Sequence, residues 1–203
     1  NAYHVANSNW HSIHNPVTEE MLKSGENIPE STSVADEDVY YNRNGKQTTT
    51  RSLRDFHNLF VKRSLILGVS NRRDTLIDYA VGKAGDLPKW IAAQLKFVFG
   101  IDISKDNIEN QLDGACARYL NFRKKYKEMP SALFLNGNSG AHLRSGDGLF
   151  SEKDKQIAKA VFGQGPKDRT QLGEGVYKHY GMGQEGFNVS SCQFAIHYFF
   201  ENA

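Results

Sequence analysis

Short apolar runs alternate with helix-patterned segments along most of this chain, and that alternation constrains its fold more than any other feature. DTLIDYAV (74–81), KFVFGIDIS (96–104) and SALFLNG (131–137) are β-rich and bounded by turn residues, and FNVSSCQFAIHYFF (187–200) starts as a fourth strand and runs into a helix. DLPKWIAAQLK (86–96) reads as a helix with Asp86 as N-cap and Pro88 in the first turn, where its missing N–H costs little. DNIENQLDGACARYLNFRKKYKE reads as one long helix whose second half turns basic. Ahead of the first strand, LRDFHNLFVKRSLI sets Leu53, Phe56, Phe60, Leu65 and Ile66 at helical spacing, which predicts an amphipathic helix at about 52–67. Strand, helix, strand, helix, strand is the pattern of an α/β fold with a mostly parallel sheet wrapped by helices.

The 203 residues suffice for one domain with a sizeable core. Residues 1–52 differ in texture: few apolar residues, no sustained period, and an acidic, turn-rich stretch from Lys23 to Asp38. They read as an irregular arm, with Trp10, Tyr40 and Tyr41 as its anchoring aromatics, ahead of a core at 53–203. Between Asn138 and Gly186 lies a Gly- and charge-rich insertion with one helix, SEKDKQIAKAVFG (151–163), opened by Ser151. No apolar run approaches the roughly 18 residues of a membrane span, and no leader opens the chain, which predicts a soluble intracellular protein. The start at Asn1 rather than Met suggests a piece of a longer polypeptide.

Cys116 and Cys192 lack metal-ligand spacing and read as buried reduced thiols. His11 and His14 share a helical face, but without a third ligand they predict no metal site. The run Arg123, Lys124, Lys125, Lys127 reads as a solvated helix end, with an RNA-backbone contact as the second reading. A net charge of +2 neither demands nor excludes a nucleic-acid partner.

In open parallel sheets, ligands bind beyond the carboxyl ends of the strands. The loop from Asp78 to Asp86 sits there, with Gly82 and Gly85 allowing close backbone approach. Asp102, about 20 residues on, ends the second strand, where an acid accepts from ribose hydroxyls. A phosphate loop needs Ser or Thr after the lysine, and Lys83 is followed by Ala84. A dinucleotide loop wants a glycine where Ala80 stands. S-adenosylmethionine has no pyrophosphate, and Asp78 suits its amino group, so the loop favours a methyl donor over a dinucleotide; a merely structural turn stays open.

Four segments in order, LRDFHNLFVKRSLI, LIDYAVGKAGDLPKW, FVFGIDIS and FNVSSCQFAIHYFFEN, resemble the mRNA cap guanine-N7 methyltransferases over most of residues 53–203. The arm stretches WHSIHNPVT and VYYNR, and the insertion FSEKDKQIAKAVFGQGPKD, resemble capping enzymes of large DNA viruses. The resemblance implies a Rossmann-like class I methyltransferase fold, incomplete at its C-terminal end, where further strands of the family would follow Ala203. It implies S-adenosylmethionine as methyl donor, with S-adenosylhomocysteine as product. Lys62 matches the lysine at the donor's carboxylate, Asp78 and Gly82 its methionine cradle, Asp102 the ribose acid, Asn138 the adenine contact and Gln193 a lining residue. Asn58, His197 and Tyr198 match residues that face the cap.

The chain departs from the pattern where Ala80 and Ala84 replace glycines, Val81 a cysteine and Asn138 an acid; added methyls at positive φ would crowd the donor. Guanine N7 is already nucleophilic, so the expected mechanism is positioning, without a catalytic acid or base or a metal. Implied partners are the GpppN end of mRNA and triphosphatase and guanylyltransferase domains of the same polypeptide or of a capping complex. The implied location is host cytoplasm or virion for a viral chain, and the nucleus for a cellular one. Two other readings accompany this one: a methyltransferase for another RNA position, and a catalytically silent donor-binding module of a capping complex.

Overall fold

The structure is a computed structural model, and it describes Trp10, Thr18 and residues 51–200. His11, His14, Tyr40, Tyr41 and the stretch Lys23 to Asp38 lie outside the described residues. The chain divides into two units, Tyr40–Phe199 and Asn1–Val39 with Phe200–Ala203, and the first holds the sheet and its covering helices.

Four parallel strands form one sheet: β1 (Thr75–Asp78), β2 (Phe97–Asp102), β3 (Ser131–Asn136) and β4 (Val189–Ser191), in the order β3-β2-β1-β4. The order reverses direction at β1, which puts a switch point beside the end of that strand. All six residues of β2 are buried, as a strand covered on both faces requires. Gly100 is obligatory in it: a Cβ there would stand 2.8 Å from Val81 Cγ2 and from Phe134 Cδ1.

One face of the sheet is covered by α2 (Lys62–Val69), α3 (Leu87–Ala92) and α5 (Ala115–Lys125), whose Ile66, Leu87, Trp90, Ala115 and Tyr119 pack on Leu76 and Val98. The insertion covers the other. Its α6 (Glu152–Val161), capped by the Ser151 hydroxyl as the sequence predicts, buries Ala158 and Val161 against Phe97, Phe99 and Ile101. A further helix, α7 (Arg169–Tyr177), kinked at Gly173, has no counterpart in the sequence reading. The long insertion is therefore one of the two layers that bury the sheet. Each fully buried large side chain contributes about 1.5–3 kcal/mol.

Several expectations change. The long helix is two, α4 (Lys105–Glu109) and α5, because the Asn110 side chain accepts the backbone N–H groups of Leu112 and Asp113 and turns the chain. The fourth strand is three residues long and leads through a turn to a 3-10 turn, Ile196–Phe199, rather than to a regular helix. The first helix begins as α1 (Arg51–Asp55) and passes through a π-helical turn, Phe56–Val61, before α2. That turn takes in an extra residue, so one 3.6-residue stripe does not persist through it. Of the five residues that predicted the apolar face, Ile66 alone is buried, and Leu53, Phe56, Phe60 and Leu65 are exposed. The cysteines are not buried either: Cys116 falls on the outward side of α5, one residue past inward Ala115, and Cys192 is half-buried. Among the described residues no helix is long and apolar enough to cross a membrane, and no cluster of metal-ligating side chains occurs.

Candidate donor-binding site at the carboxyl edge of the sheet

Parallel pairing places Asp78, the last residue of β1, beside Gly100 of β2 and Ser191 of β4. The following loop folds back over the strand ends: Val81 N–H donates to Ile101 O at 3.0 Å, and Gly82 N–H to Asp102 Oδ2 at 2.7 Å. Gly82 has φ +54, and Cβ atoms added at Gly82 or Gly85 would meet nothing within 4 Å. The loop that follows buried Asp78 therefore presents bare backbone to open space at these two glycines.

Asp86 does not cap α3 with its side chain, contrary to the sequence reading. Its carboxylate is engaged by two ammonium groups instead, Lys89 Nζ at 2.7 Å on Oδ1 and Lys62 Nζ at 3.3 Å on Oδ2. Asp86 and Lys89 are both buried, which makes the pair costly to break. Asp78 lies in the field of this group. Burial, then the charge of Asp86, push its carboxyl up to about 7, while Ala80 N–H and Lys62 act the other way. A cation arriving beside this partly ionised acid would draw it into the charged form.

Asp102 is buried and largely committed to its own chain. Besides Gly82 N–H on Oδ2, its Oδ1 accepts Ser104 N–H and Asn107 Nδ2, each at 3.0 Å. A carboxylate offers about four acceptor positions, so about one, on Oδ2, remains for a ligand hydroxyl. Asn138 is half-buried, and its Oδ1 accepts Gly140 N–H at 2.8 Å. Asn136, which the sequence reading passed over, is the more deeply placed amide: its Nδ2 donates to Asp102 O and Ile103 O and ties β3 to the end of β2. Lys83 is spent on Asp113 and Asp106, at 2.8 and 3.1 Å, so it offers no free charge to a phosphate.

The residues expected on the substrate side divide between two elements. Asn58 is half-buried in the π-helical turn, whose Lys62 N–H donates to His57 O. Gln193, half-buried, precedes Phe194, and exposed His197 and Tyr198 lie in the 3-10 turn with ring centroids 3.9 Å apart. The two elements meet at Phe194: its ring takes the His57 ring edge-on at 4.8 Å and has Lys62 Nζ 5.5 Å from its centroid. Beyond it, Phe199 borders Gly140, where an added Cβ would stand 3.7 Å from Phe199 Cδ1. The segment after β4 thus runs from the Lys62 side of the site to the Asn138 side. Among the described residues, three buried polar atoms on bordering elements lack a partner: His57 Nδ1, Ser139 Oγ and Ser191 Oγ.

Of the alanine replacements expected to crowd this space, Ala84 turns its methyl into the core. Ala84 does adopt φ +53, but its methyl is fully buried in the core with Val81, facing α3 and the sheet. The left-handed conformation costs about 1–2 kcal/mol in an L-residue, offset in part by that burial. Elsewhere, Ser145 Oγ lies 2.6 Å from Asp147 Oδ2 and 3.0 Å from His142 Nδ1. Acid and imidazole both face the hydroxyl, not each other, so this exposed trio lacks the oriented base of a nucleophilic triad.

A buried acid, a lysine held near it, bare loop backbone and buried polar atoms without a partner suit in charge a ligand that carries both an ammonium and a carboxylate group. Comparison with known proteins points the same way. The family model described as the mRNA (guanine-N(7))-methyltransferase domain matches residues 34–203. The "Probable mRNA-capping enzyme" of Acanthamoeba polyphaga mimivirus is 28% identical over 211 residues, 98% of this chain and 17% of that protein. The mRNA cap guanine-N(7) methyltransferase 1 of Arabidopsis thaliana is 28% identical over 144 residues, 70% of this chain and 29% of that protein. The mRNA cap guanine-N(7) methyltransferase of Eremothecium gossypii is 39% identical over 83 residues, 41% of this chain and 18% of that protein. The chain spans less than a third of the length of each of these relatives.

Proposed function

This chain belongs to the mRNA (guanine-N(7))-methyltransferase family, and from that premise we propose that it methylates N7 of the guanosine cap of mRNA from S-adenosylmethionine. The observation that carries the proposal is Asp78, its carboxyl pushed up to about 7, at the start of a loop with open space at Gly82 and Gly85 and within the field of the anchored Lys62. When bound, S-adenosylmethionine supplies an electrophilic methyl group on a positively charged sulfur.

Asp78 ionises to receive the donor's amino group. Lys62, held by Asp86, faces the donor's carboxylate. Asp102 takes one ribose hydroxyl at the position left on Oδ2, rather than both as the sequence reading has it. Asn138 contacts the adenine and Gln193 lines the same pocket. Asn58, His197 and Tyr198 hold the guanine on the other side, Tyr198 by stacking. Transfer of that methyl group to N7 would break its bond to sulfur, carry the positive charge to the guanine ring and release no proton from N7. No general base is therefore needed, and the residues act by fixing both reactants and excluding water.

The substrate must come from enzymes that trim and guanylate a triphosphate end, which supports a capping polypeptide or complex with those activities as the setting of this chain. The test is calorimetric titration of the full chain with S-adenosylmethionine, followed by methyl transfer to GpppRNA and analysis of the released nucleosides. Formation of 7-methylguanosine supports the proposal. Methyl transfer to another position, tight donor binding without transfer, or no donor binding by folded protein each overturns it.

A further inference from the structure

Cations are sorted between the two edges of the sheet. At the carboxyl edge, Lys62, Lys83 and Lys89 all contact carboxylates. The opposite edge is built differently. Parallel pairing gathers the starts of β1, β2 and β3 along one line, stitched by Arg73 N–H to Gln94 O and Lys96 N–H to Asp74 O at 2.8 Å, and by Ser131 N–H to Lys96 O at 3.1 Å. The end of α5 joins this line, because the Tyr119 hydroxyl donates to Pro130 O at 2.9 Å.

Arg72, Arg73, Lys96, Lys124, Lys125 and Lys127 therefore share one border of the molecule. All six are exposed, and none forms an ion pair among the described residues. The carboxylates placed along the same border are Asp74, which accepts Asn71 N–H, and exposed Glu128 and Glu185. A whole-chain charge of +2 thus conceals a strongly positive edge. The last turn of α5 accounts for some of these charges, since cations there favour the helix dipole. It does not account for Arg72, Arg73 and Lys96, which precede strands.

We infer that this amino edge binds the phosphate backbone of single-stranded RNA downstream of the cap, so that the transcript wraps from the donor site to the opposite side of the sheet. The choice of RNA over an acidic protein rests on the cap-methyltransferase reading; the charged edge itself does not. β2 spans about 20 Å at about 3.3 Å per residue, so short capped ends do not reach the edge and longer transcripts do. Binding carried by a row of unpaired cations is tolerant of sequence and sensitive to salt.

The experiment measures binding of uncapped single-stranded RNA to the full chain by fluorescence anisotropy across a salt series. It uses wild type and the variant Arg72→Gln/Lys96→Gln/Lys125→Gln/Lys127→Gln. Each phosphate contact removed lowers the slope of log affinity against log salt by about 0.7, so the variant's slope is expected to fall by about 3 and its low-salt affinity at least about tenfold. Lys153→Gln/Lys159→Gln on α6 is the control and leaves both unchanged. Donor affinity and methylation of a GpppG dinucleotide stay at wild-type values in every variant, which separates failure of this inference from failure of the donor-site reading. An unchanged slope in the edge variant overturns the inference. So does an equal loss in the control, or a loss confined to an acidic peptide of residues 23–38 while RNA binding persists.

Discussion

Lys62 Nζ reaches Asp86 Oδ2 at 3.3 Å across 24 residues of sequence, joining helix α2 to the loop that follows β1. The other oxygen of Asp86 holds Lys89 at 2.7 Å. One carboxylate thus fixes two ammonium groups, and the partly exposed one, Lys62, is left where the proposed donor site would have its carboxylate contact. The arrangement also raises the cost of ionising Asp78, because the Asp86 charge acts on it more strongly than that of Asp102.

Replacing Asp86 tests the first half of this relationship. Asp86→Asn leaves buried Lys89 without its counter-ion, a change that typically costs about 3–5 kcal/mol. Denaturant unfolding is expected to show a loss of that order. The double variant Asp86→Asn/Lys89→Met removes the stranded charge and recovers most of the stability. Donor affinity stays low in both, since Lys62 is no longer held. Full stability in the single variant would show that the pair is not structural.

Asp78 makes stability and donor binding respond to pH in opposite directions. Its carboxyl titrates near 7 in the folded chain against an ordinary value of 3.8. Between those values the folded state holds a proton that the unfolded state lacks, so this group's contribution to stability falls as pH rises through the window. Donor binding needs the ionised acid, so affinity rises with pH and levels off above about 7. Calorimetric titration and unfolding at matched pH values check both slopes. Asp78→Asn flattens both, and lowers donor affinity at pH 8 by about tenfold or more.

The strands of the sheet were legible because strands covered on both faces leave uninterrupted apolar runs, as in Phe97–Asp102, whereas such runs do not encode the strand order. The loop and Asp102 were legible from their place at strand ends. Asp86 stands at the N-cap position as read, but nothing local reveals that its side chain, in place of capping, has Lys62 and Lys89 converge on it. Phe194 was missed for a related reason. Its positive φ and its contacts to His57 and Lys62 depend on how the turn after β4 meets a π-helical turn, which residue spacing does not encode. The apolar stripe on the first helix misled because that π turn breaks its period.

The open space above the loop yields a test that separates donor contact from folding. Gly85 has an ordinary φ and an open Cβ position, so Gly85→Ala is expected to change stability by under about 1 kcal/mol while lowering donor affinity severalfold. Gly82→Ala meets the same open space but must hold φ +54, which adds about 1–2 kcal/mol of strain. Thermal unfolding and donor titration on both variants check the contrast. Unchanged donor affinity in Gly85→Ala would move the donor away from this loop.

Phe194 is half-exposed and holds φ +60, a conformation costly for a bulky residue and one that tends to persist where a site requires it. Its ring faces the Lys62 ammonium 5.5 Å away, a cation–π contact of about 0.5–1 kcal/mol at a partly exposed position. Phe194→Gly relieves the backbone and removes the ring together. Its stability is therefore expected to hold or rise slightly, while donor affinity falls about two- to fivefold as Lys62 loses that contact. Phe194→Tyr keeps the ring and the strain, and restores wild-type affinity. Unfolding curves and donor titrations on the two variants give the comparison. A Gly variant that loses stability and keeps its donor affinity would make Phe194 a packing residue, not one that orients Lys62.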